Sequence, residues 1–193
     1  MQTKGKGKVL VVSAPSGAGK TTLVKHLLGQ IPSLSFSVSA TSRPKRDNET
    51  HGKDYFFLSP EAFRQKIEEG AFLEWEEVYE GVFYGSLLSE INRSLENGQH
   101  LIFDVDVIGG LNIKKHFGET ALSIFIQAPS IEVLEQRLRN RCSDEEESIR
   151  ERVRKAAWEM DFAPHFDLIF INDDLNTARE KLTHLVTEFL SRP

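Results

Sequence analysis

Short apolar runs alternate along the chain with stretches whose apolar residues recur every three or four positions. The runs Lys8–Ser13, Phe36–Ser39, His100–Val105, Ala121–Gln127 and Asp167–Ile171 read as strands, apolar enough to be buried on both faces. Helical spacing covers about Lys20–Leu28, Pro60–Glu69, Leu87–Glu96, Ile108–His116, Ile131–Arg141, Asp144–Asp161 and Leu175–Leu190. This alternation predicts an α/β fold with a mainly parallel sheet flanked by helices. Residues 42–86 break the rhythm with a polar loop, the run Tyr55-Phe56-Phe57-Leu58, a short helix and an aromatic-acidic stretch ending Phe83-Tyr84-Gly85-Ser86. They predict a small insertion outside the parallel sheet.

Boundary chemistry supports these elements. Ser59-Pro60 pairs a helix cap with proline at the first helical position. Gly98 is placed to stop the helix before it. Ser143 with Glu146 has capping-box spacing and predicts a corner after Arg141. Beyond it, Ile149, Val153, Ala156 and Met160 share one helix face.

The strongest chemical signal is Ser13-Ala14-Pro15-Ser16-Gly17-Ala18-Gly19-Lys20-Thr21-Thr22, set between a predicted strand and a predicted helix. That is the context of a phosphate-binding loop. Glycines at 17 and 19 let successive N–H groups converge on an anion, and the helix N-terminus adds its positive end. Residues Ala14 to Thr22 are therefore expected to wrap nucleotide phosphates. Lys20 would add a cation and the Thr21 hydroxyl a ligand for Mg²⁺. The full G-x-x-x-x-G-K-[ST] pattern has glycine where this chain has Ala14. Such a loop points to a nucleoside triphosphate and leaves GTPase, ATPase and kinase open.

Ser39-Ala40-Thr41-Ser42-Arg43-Pro44-Lys45-Arg46 follows the second predicted strand, and its two arginines could clamp a phosphate. Gly52-Lys53-Asp54-Tyr55, Glu74-Trp75 and Tyr84-Gly85-Ser86 come after it. Singly these are weak signals, since a basic loop is usually just solvated. In this order, behind a phosphate loop, they resemble the guanylate kinases, and the resemblance runs from about Val9 to Asp174. It implies a phosphate-loop core over residues 1–41, 87–130 and 163–193, a GMP-binding insertion over about 42–86, and a lid over about 131–162. It also implies phosphoryl transfer from ATP to GMP. Ser39, Arg43, Arg46, Tyr55 and Tyr84 would hold the GMP phosphate, Glu74 and Ser86 would read the guanine, and Gly85 would belong to the same GMP site.

The chemistry of guanine agrees with that assignment. A carboxylate at 74 can accept from N1–H and the N2 amino group, and a hydroxyl at 86 can donate to O6. Adenine would leave the carboxylate unpaired, worth a preference on the order of 10⁴-fold.

Leu101-Ile102-Phe103-Asp104-Val105-Asp106 is an apolar strand ending in two aspartates. Analogy with other phosphate-loop enzymes puts Asp104 near the metal. The resemblance places Asp104 and Asp106 between the nucleotides, although Asp106 could simply cap the next helix. It further implies catalytic roles for Arg137, Arg141 and Arg152 beside Lys20 and Arg43, and puts Asn172 on the adenine side. Two other functions compete: a protein-binding module of the same fold, and a kinase for another nucleoside monophosphate. The intact Gly17–Thr21 set opposes the first, and Glu74 with Ser86 opposes the second.

Composition narrows the partners. The chain has 193 residues, enough for one domain, and is 39% hydrophobic and 27% charged. Its net charge of −5 argues against a nucleic-acid polymer or an anionic membrane as partner. The charge is uneven: residues 1–60 hold 9 basic and 3 acidic side chains, residues 61–80 hold 2 and 7. A basic front carrying the phosphate sites suits small phosphorylated ligands. One cysteine, Cys142, excludes an intrachain disulfide, and the six histidines show no metal-ligand spacing. The apolar stretch after Lys4, Lys6 and Lys8 is too short for a signal-peptide core, and no run approaches the ~18 residues of a membrane span. A cytoplasmic enzyme is expected. The oligomeric state stays open, a homo-oligomer included.

Overall fold

The computed structural model describes residues 6–140 and 146–192. Arg141, Cys142 and the capping box at Ser143 lie outside them. In chain order the elements are β1 (Val9–Ser13), α1 (Lys20–Gln30), β2 (Leu34–Phe36), β3 (Ala40–Thr41), β4 (Phe56–Phe57), α2 (Pro60–Glu68), β5 (Phe72–Tyr79) and β6 (Val82–Leu87). Then come α3 (Leu88–Glu96), β7 (His100–Asp104), α4 (Val107–Phe117), β8 (Ala121–Gln127), α5 (Ile131–Arg139), α6 (Glu146–Met160), β9 (Leu168–Ile171) and α7 (Leu175–Ser191). The chain divides into two compact units. One comprises residues 36–101 with described residues 6–7; the other comprises residues 8–35 and 102–192.

A five-stranded sheet of order β2-β7-β1-β8-β9, most of whose residues belong to the larger unit, has β1 paired parallel with β8 and β8 with β9. All five residues of β1 are buried, as a strand covered on both faces requires. On one face Leu10, Val12, Ile102, Ile124 and Ile126 pack against Leu23, Val24 and Leu27 of α1 and Leu182 and Val186 of α7. On the other, Phe125 packs with Val107 of α4 and with Ala163 and Phe166. The parallel topology gathers the carboxyl ends of the strands at one edge, where ligands of open α/β sheets bind.

The smaller unit carries a sheet of order β4-β3-β6-β5 with an antiparallel β5–β6 hairpin. Its core is Phe63 of α2, stacked 4.3 Å from Phe72 and 5.4 Å from Phe83, with Ala40 and Leu87. Ser59 caps α2 through the Ala62 N–H, and Gly98 takes the left-handed turn after α3. Gly85 permits close strand pairing: a Cβ there would lie 2.7 Å from the Glu74 carbonyl oxygen.

One predicted strand is corrected. Phe36–Ser39 does not form a single strand: β2 ends at Phe36, and Ala40–Thr41 belong to the second sheet. The backbone groups find partners there, because Ser39 accepts from the Phe56 N–H and Ala40 pairs with both Phe56 and Gly85. Among the described residues, no helix is long and apolar enough to cross a membrane.

Candidate active site

The phosphate loop leaves the carboxyl end of β1 and enters α1 at Gly19, which has φ 97°. A Cβ on Gly19 would sit 2.3 Å from Asn172 Nδ2. Glycine is therefore required there both for its left-handed backbone and for space. Asn172 Nδ2 donates to the Ala18 carbonyl at 2.8 Å and so clamps the loop from the end of β9. The first turn of α1 holds no acidic side chain and no side-chain cap, so its N–H groups and dipole are available to an anion.

A pocket of about 330 Å³ opens over this loop, lined by Ala14 to Gly17, Gly19 to Thr21, Asp106, Lys155 and Glu159. Lys20 Nζ lies 2.5 Å from Asp104 Oδ1 and donates to the Val105 carbonyl at 3.1 Å. Asp104 thus holds the loop lysine. Asp106 caps α4, its carboxylate accepting from the Gly109 N–H at 2.7 Å, and also lines the phosphate pocket. The capping role of Asp106 read from the sequence is thus observed.

A second pocket of about 310 Å³ lies beside the first, lined by Gly17, Gly19, Thr22, Arg137, Asn140, Asn172, Asp173 and Leu175. Arg137 Nη2 donates to the carbonyls of Asn172 and Asp173 at 2.9 and 3.0 Å. Asn172 is 4% exposed, and its Oδ1 is buried without a hydrogen-bond partner. A buried acceptor of this kind suits an N–H donor from a ligand.

Sequence reading missed Lys155 and Glu159 in the phosphate pocket. They lie four apart on α6, on a face that only tertiary packing reveals. Burial pushes the Glu159 carboxyl above its ordinary range, against the pull of Lys155 and Lys20. Arg152 is half-buried one turn earlier on α6.

The smaller unit holds the other candidate residues. Arg43 stacks over the rings of Tyr55 and Phe57 at 5.0 and 5.6 Å, and Tyr55 meets Tyr84 at 5.8 Å. Arg43 Nε donates to the Tyr84 hydroxyl at 3.1 Å. Nη1 and Nη2 donate to the two oxygens of Glu49 at 2.7 and 2.5 Å. Glu49, another residue missed in sequence, also accepts from the Arg46 N–H at 2.9 Å. The Arg43 side chain, followed by the Arg46 backbone, holds the Glu49 carboxyl down at about 2. Arg46 is exposed on the same loop, and Ser39 is half-buried just before β3.

Glu74 and Ser86 face one another across the β5–β6 hairpin, and the Ser86 hydroxyl donates to Glu74 Oε1 at 2.7 Å. Ser86 is 2% exposed, so this carboxylate–hydroxyl pair sits in a sheltered setting.

The oxygen donors around the phosphate pocket (the Thr21 hydroxyl and the carboxylates of Asp104, Asp106 and Glu159) suit a hard cation such as Mg²⁺. That ion commonly takes few protein ligands and keeps waters and phosphate oxygens. Among the described residues, no group of three or more His, Cys, Asp or Glu is placed to hold a metal ion.

The guanylate kinase family profile matches residues 6–189. Guanylate kinase of Bacteroides thetaiotaomicron is 53% identical over 186 residues, covering 96% of this chain and 91% of that protein. The Porphyromonas gingivalis guanylate kinase is 48% identical, covering 96% of this chain and 99% of its own length. The crystal structure of guanylate kinase from Anaplasma phagocytophilum superposes with a TM-score of 0.70 at 28% identity, covering 98% of this chain and 89% of the other. The phosphate loop, the arginine–tyrosine cluster and the Glu74–Ser86 pair thus lie within a profile match that spans nearly all of the sequence, and the chain belongs to the guanylate kinase family.

Proposed function

We propose that this chain transfers the terminal phosphoryl group of ATP directly, in line, to the phosphate of GMP, giving ADP and GDP. It would do so with Mg²⁺, recycling GMP within purine metabolism in the cytoplasm. The observation that carries the acceptor assignment is the Glu74–Ser86 pair. Its carboxylate can take both guanine donors, and Ser86 can redirect its proton from Glu74 to O6. The phosphate belongs with Arg43, Arg46, Tyr55, Tyr84 and Ser39, and the insertion over about 42–86 serves as the GMP-binding segment.

On the donor side, the backbone of residues 14–22 cradles the ATP phosphates. Lys20 exchanges Asp104 for a phosphate oxygen, and Asn172 flanks the adenine side. Thr21 and Asp104 would hold Mg²⁺, Asp104 directly or through water. When bound, the ion supplies charge neutralisation on the phosphates.

A GMP phosphate is already anionic near neutral pH, so the acceptor needs no general base. The work of the side chains is alignment and charge neutralisation. Lys20, Arg43, Arg137, Arg141 and Arg152 share that role. The lid over about 131–162 closes to exclude water and limit wasteful ATP hydrolysis.

A coupled assay for ADP with GMP, AMP, CMP and UMP as acceptors tests the reading. Turnover with GMP far above the other three is expected. Preference for another acceptor overturns the guanine assignment, and no turnover with any acceptor favours a binding module.

A further inference from the structure

The guanidinium of Arg43 has two edges that can grip an anion, and a carboxylate of this same chain already holds one of them. Glu49 takes the end-on edge, accepting from Nη1 at 2.7 Å and Nη2 at 2.5 Å. Nη1 also donates to the Pro44 carbonyl at 3.0 Å. The side-on edge, Nε–H with the second Nη2–H, is turned toward Tyr84, whose hydroxyl accepts from Nε at 3.1 Å. That hydroxyl keeps its own proton for another acceptor. Rings hold the guanidinium plane through the Tyr55 and Phe57 contacts at 5.0 and 5.6 Å. The pair is sheltered, with side-chain exposures of 14% for Arg43 and 12% for Glu49. Glu49 also fixes the loop itself: its carboxylate accepts from the Arg46 N–H at 2.9 Å, and its carbonyl accepts from Lys45 Nζ at 2.8 Å.

We propose that Glu49 is a positioning residue for the acceptor phosphate: it anchors the end-on edge of Arg43 so that the side-on edge and the Tyr84 hydroxyl stand ready for a nucleoside monophosphate. Two functions for a carboxylate here would have opposite consequences. A competitor would occupy the edge that the phosphate needs, and removing it would tighten GMP binding. An anchor occupies the other edge, and removing it loosens binding. Both edges are engaged, but the end-on edge is held by a charged carboxylate through two hydrogen bonds and the side-on edge only by the neutral Tyr84 hydroxyl, which a phosphate replaces more readily, so the geometry favours the anchor. A guanidinium left to rotate would lose the alignment that paired N–H donors give.

This inference rests on Arg43 being an acceptor-phosphate residue, and the test separates the two. Steady-state kinetics are measured on wild type, Glu49→Gln, Arg43→Lys and the double variant, with guanosine affinity measured by calorimetry as the phosphate-free control. Glutamine keeps the shape but turns an NH₂ donor toward Arg43. Glu49→Gln should raise KM for GMP about tenfold while KM for ATP and guanosine affinity stay within about twofold. On the Arg43→Lys background, where no fork remains to be anchored, the same change should cost less than about threefold. Unchanged or lowered KM for GMP in Glu49→Gln overturns the proposal. So does an equal loss of guanosine affinity, which would mark a collapsed loop, or a full tenfold effect on the Arg43→Lys background. If Arg43→Lys itself leaves KM for GMP unchanged, the phosphate-clamp reading fails and the proposal falls with it.

Discussion

Two glycines at opposite ends of α1 should respond to the same substitution with opposite signs. Gly19 begins the helix at φ 97°, and an added Cβ would lie 2.3 Å from Asn172 Nδ2. That nitrogen donates to the Ala18 carbonyl at 2.8 Å and holds the phosphate loop. In Gly19→Ala the left-handed backbone costs about 1–2 kcal/mol. Displacing the buried amide from its carbonyl costs a further ~1–3 kcal/mol. Their sum, about 2–5 kcal/mol, corresponds to a fall in Tm of roughly 5–15 °C for a chain of this size. Gly29 lies near the other end of α1, exposed, with nothing within 4 Å of an added Cβ. There alanine removes the entropic cost of glycine in a helix and should stabilise by about 0.5–1 kcal/mol. Calorimetric unfolding of both variants, with KM for ATP measured alongside, checks the pair. Gly19→Ala should lose both stability and ATP affinity, whereas Gly29→Ala should gain slightly and bind ATP normally. If Gly19→Ala unfolds and binds ATP like wild type, the Asn172 clamp is misread. If Gly29→Ala loses as much as Gly19→Ala, the space around each Cβ does not set the sign of the effect.

Lys20→Ala removes the loop cation that pairs with Asp104 at 2.5 Å, and should lower kcat by about 10²–10³-fold, read in single-turnover ATP reactions; near-normal turnover would contradict its role. Asp167 ties β9 to its neighbours, accepting from the Ser123 N–H and hydroxyl at 2.8 Å each and pairing with Lys114 at 3.0 Å. Burial pushes its carboxyl up, but the Ser123 hydrogen bonds and Lys114 outweigh that and hold it below the ordinary carboxylate range. A carboxyl depressed in the folded state contributes stability above its unfolded pKa, near 4, and loses it as pH falls through the lower folded value. Asp167→Asn should therefore cost about 1–2 kcal/mol at pH 7, with the difference from wild type shrinking in urea melts below about pH 4. A constant difference down to pH 2 would contradict the assignment.

What the sequence made legible was mostly local. The phosphate loop could be read because its motif is ten consecutive residues in a strand–helix context. The caps at Ser59 and Asp106 were readable for the same reason. The strand over Phe36–Ser39 was misread because its apolar pattern spans the hand-over from one sheet to the other, and pattern alone does not say where partners change. The β5–β6 hairpin was also hidden. Trp75, Val78 and Tyr79 are exposed among glutamates, so no alternation of buried and solvent faces marks the strand. Glu49 was invisible for a different reason. An acid in a polar loop looks solvated until the fold places Tyr84, forty-one residues beyond Arg43, on the same guanidinium. Lys155 and Glu159 share that limitation, since they line a pocket formed by a loop far earlier in the chain.

The proposed selection of guanine as the acceptor base rests on the carboxylate at 74 paired with Ser86. It is tested most directly by the ratio of kcat/KM for GMP to that for AMP, in wild type and in Glu74→Gln. A wild-type preference on the order of 10⁴ should fall by at least about a hundredfold when the carboxylate becomes an amide, mainly through weaker use of GMP. A ratio unchanged in Glu74→Gln would place base recognition on other residues and contradict the account.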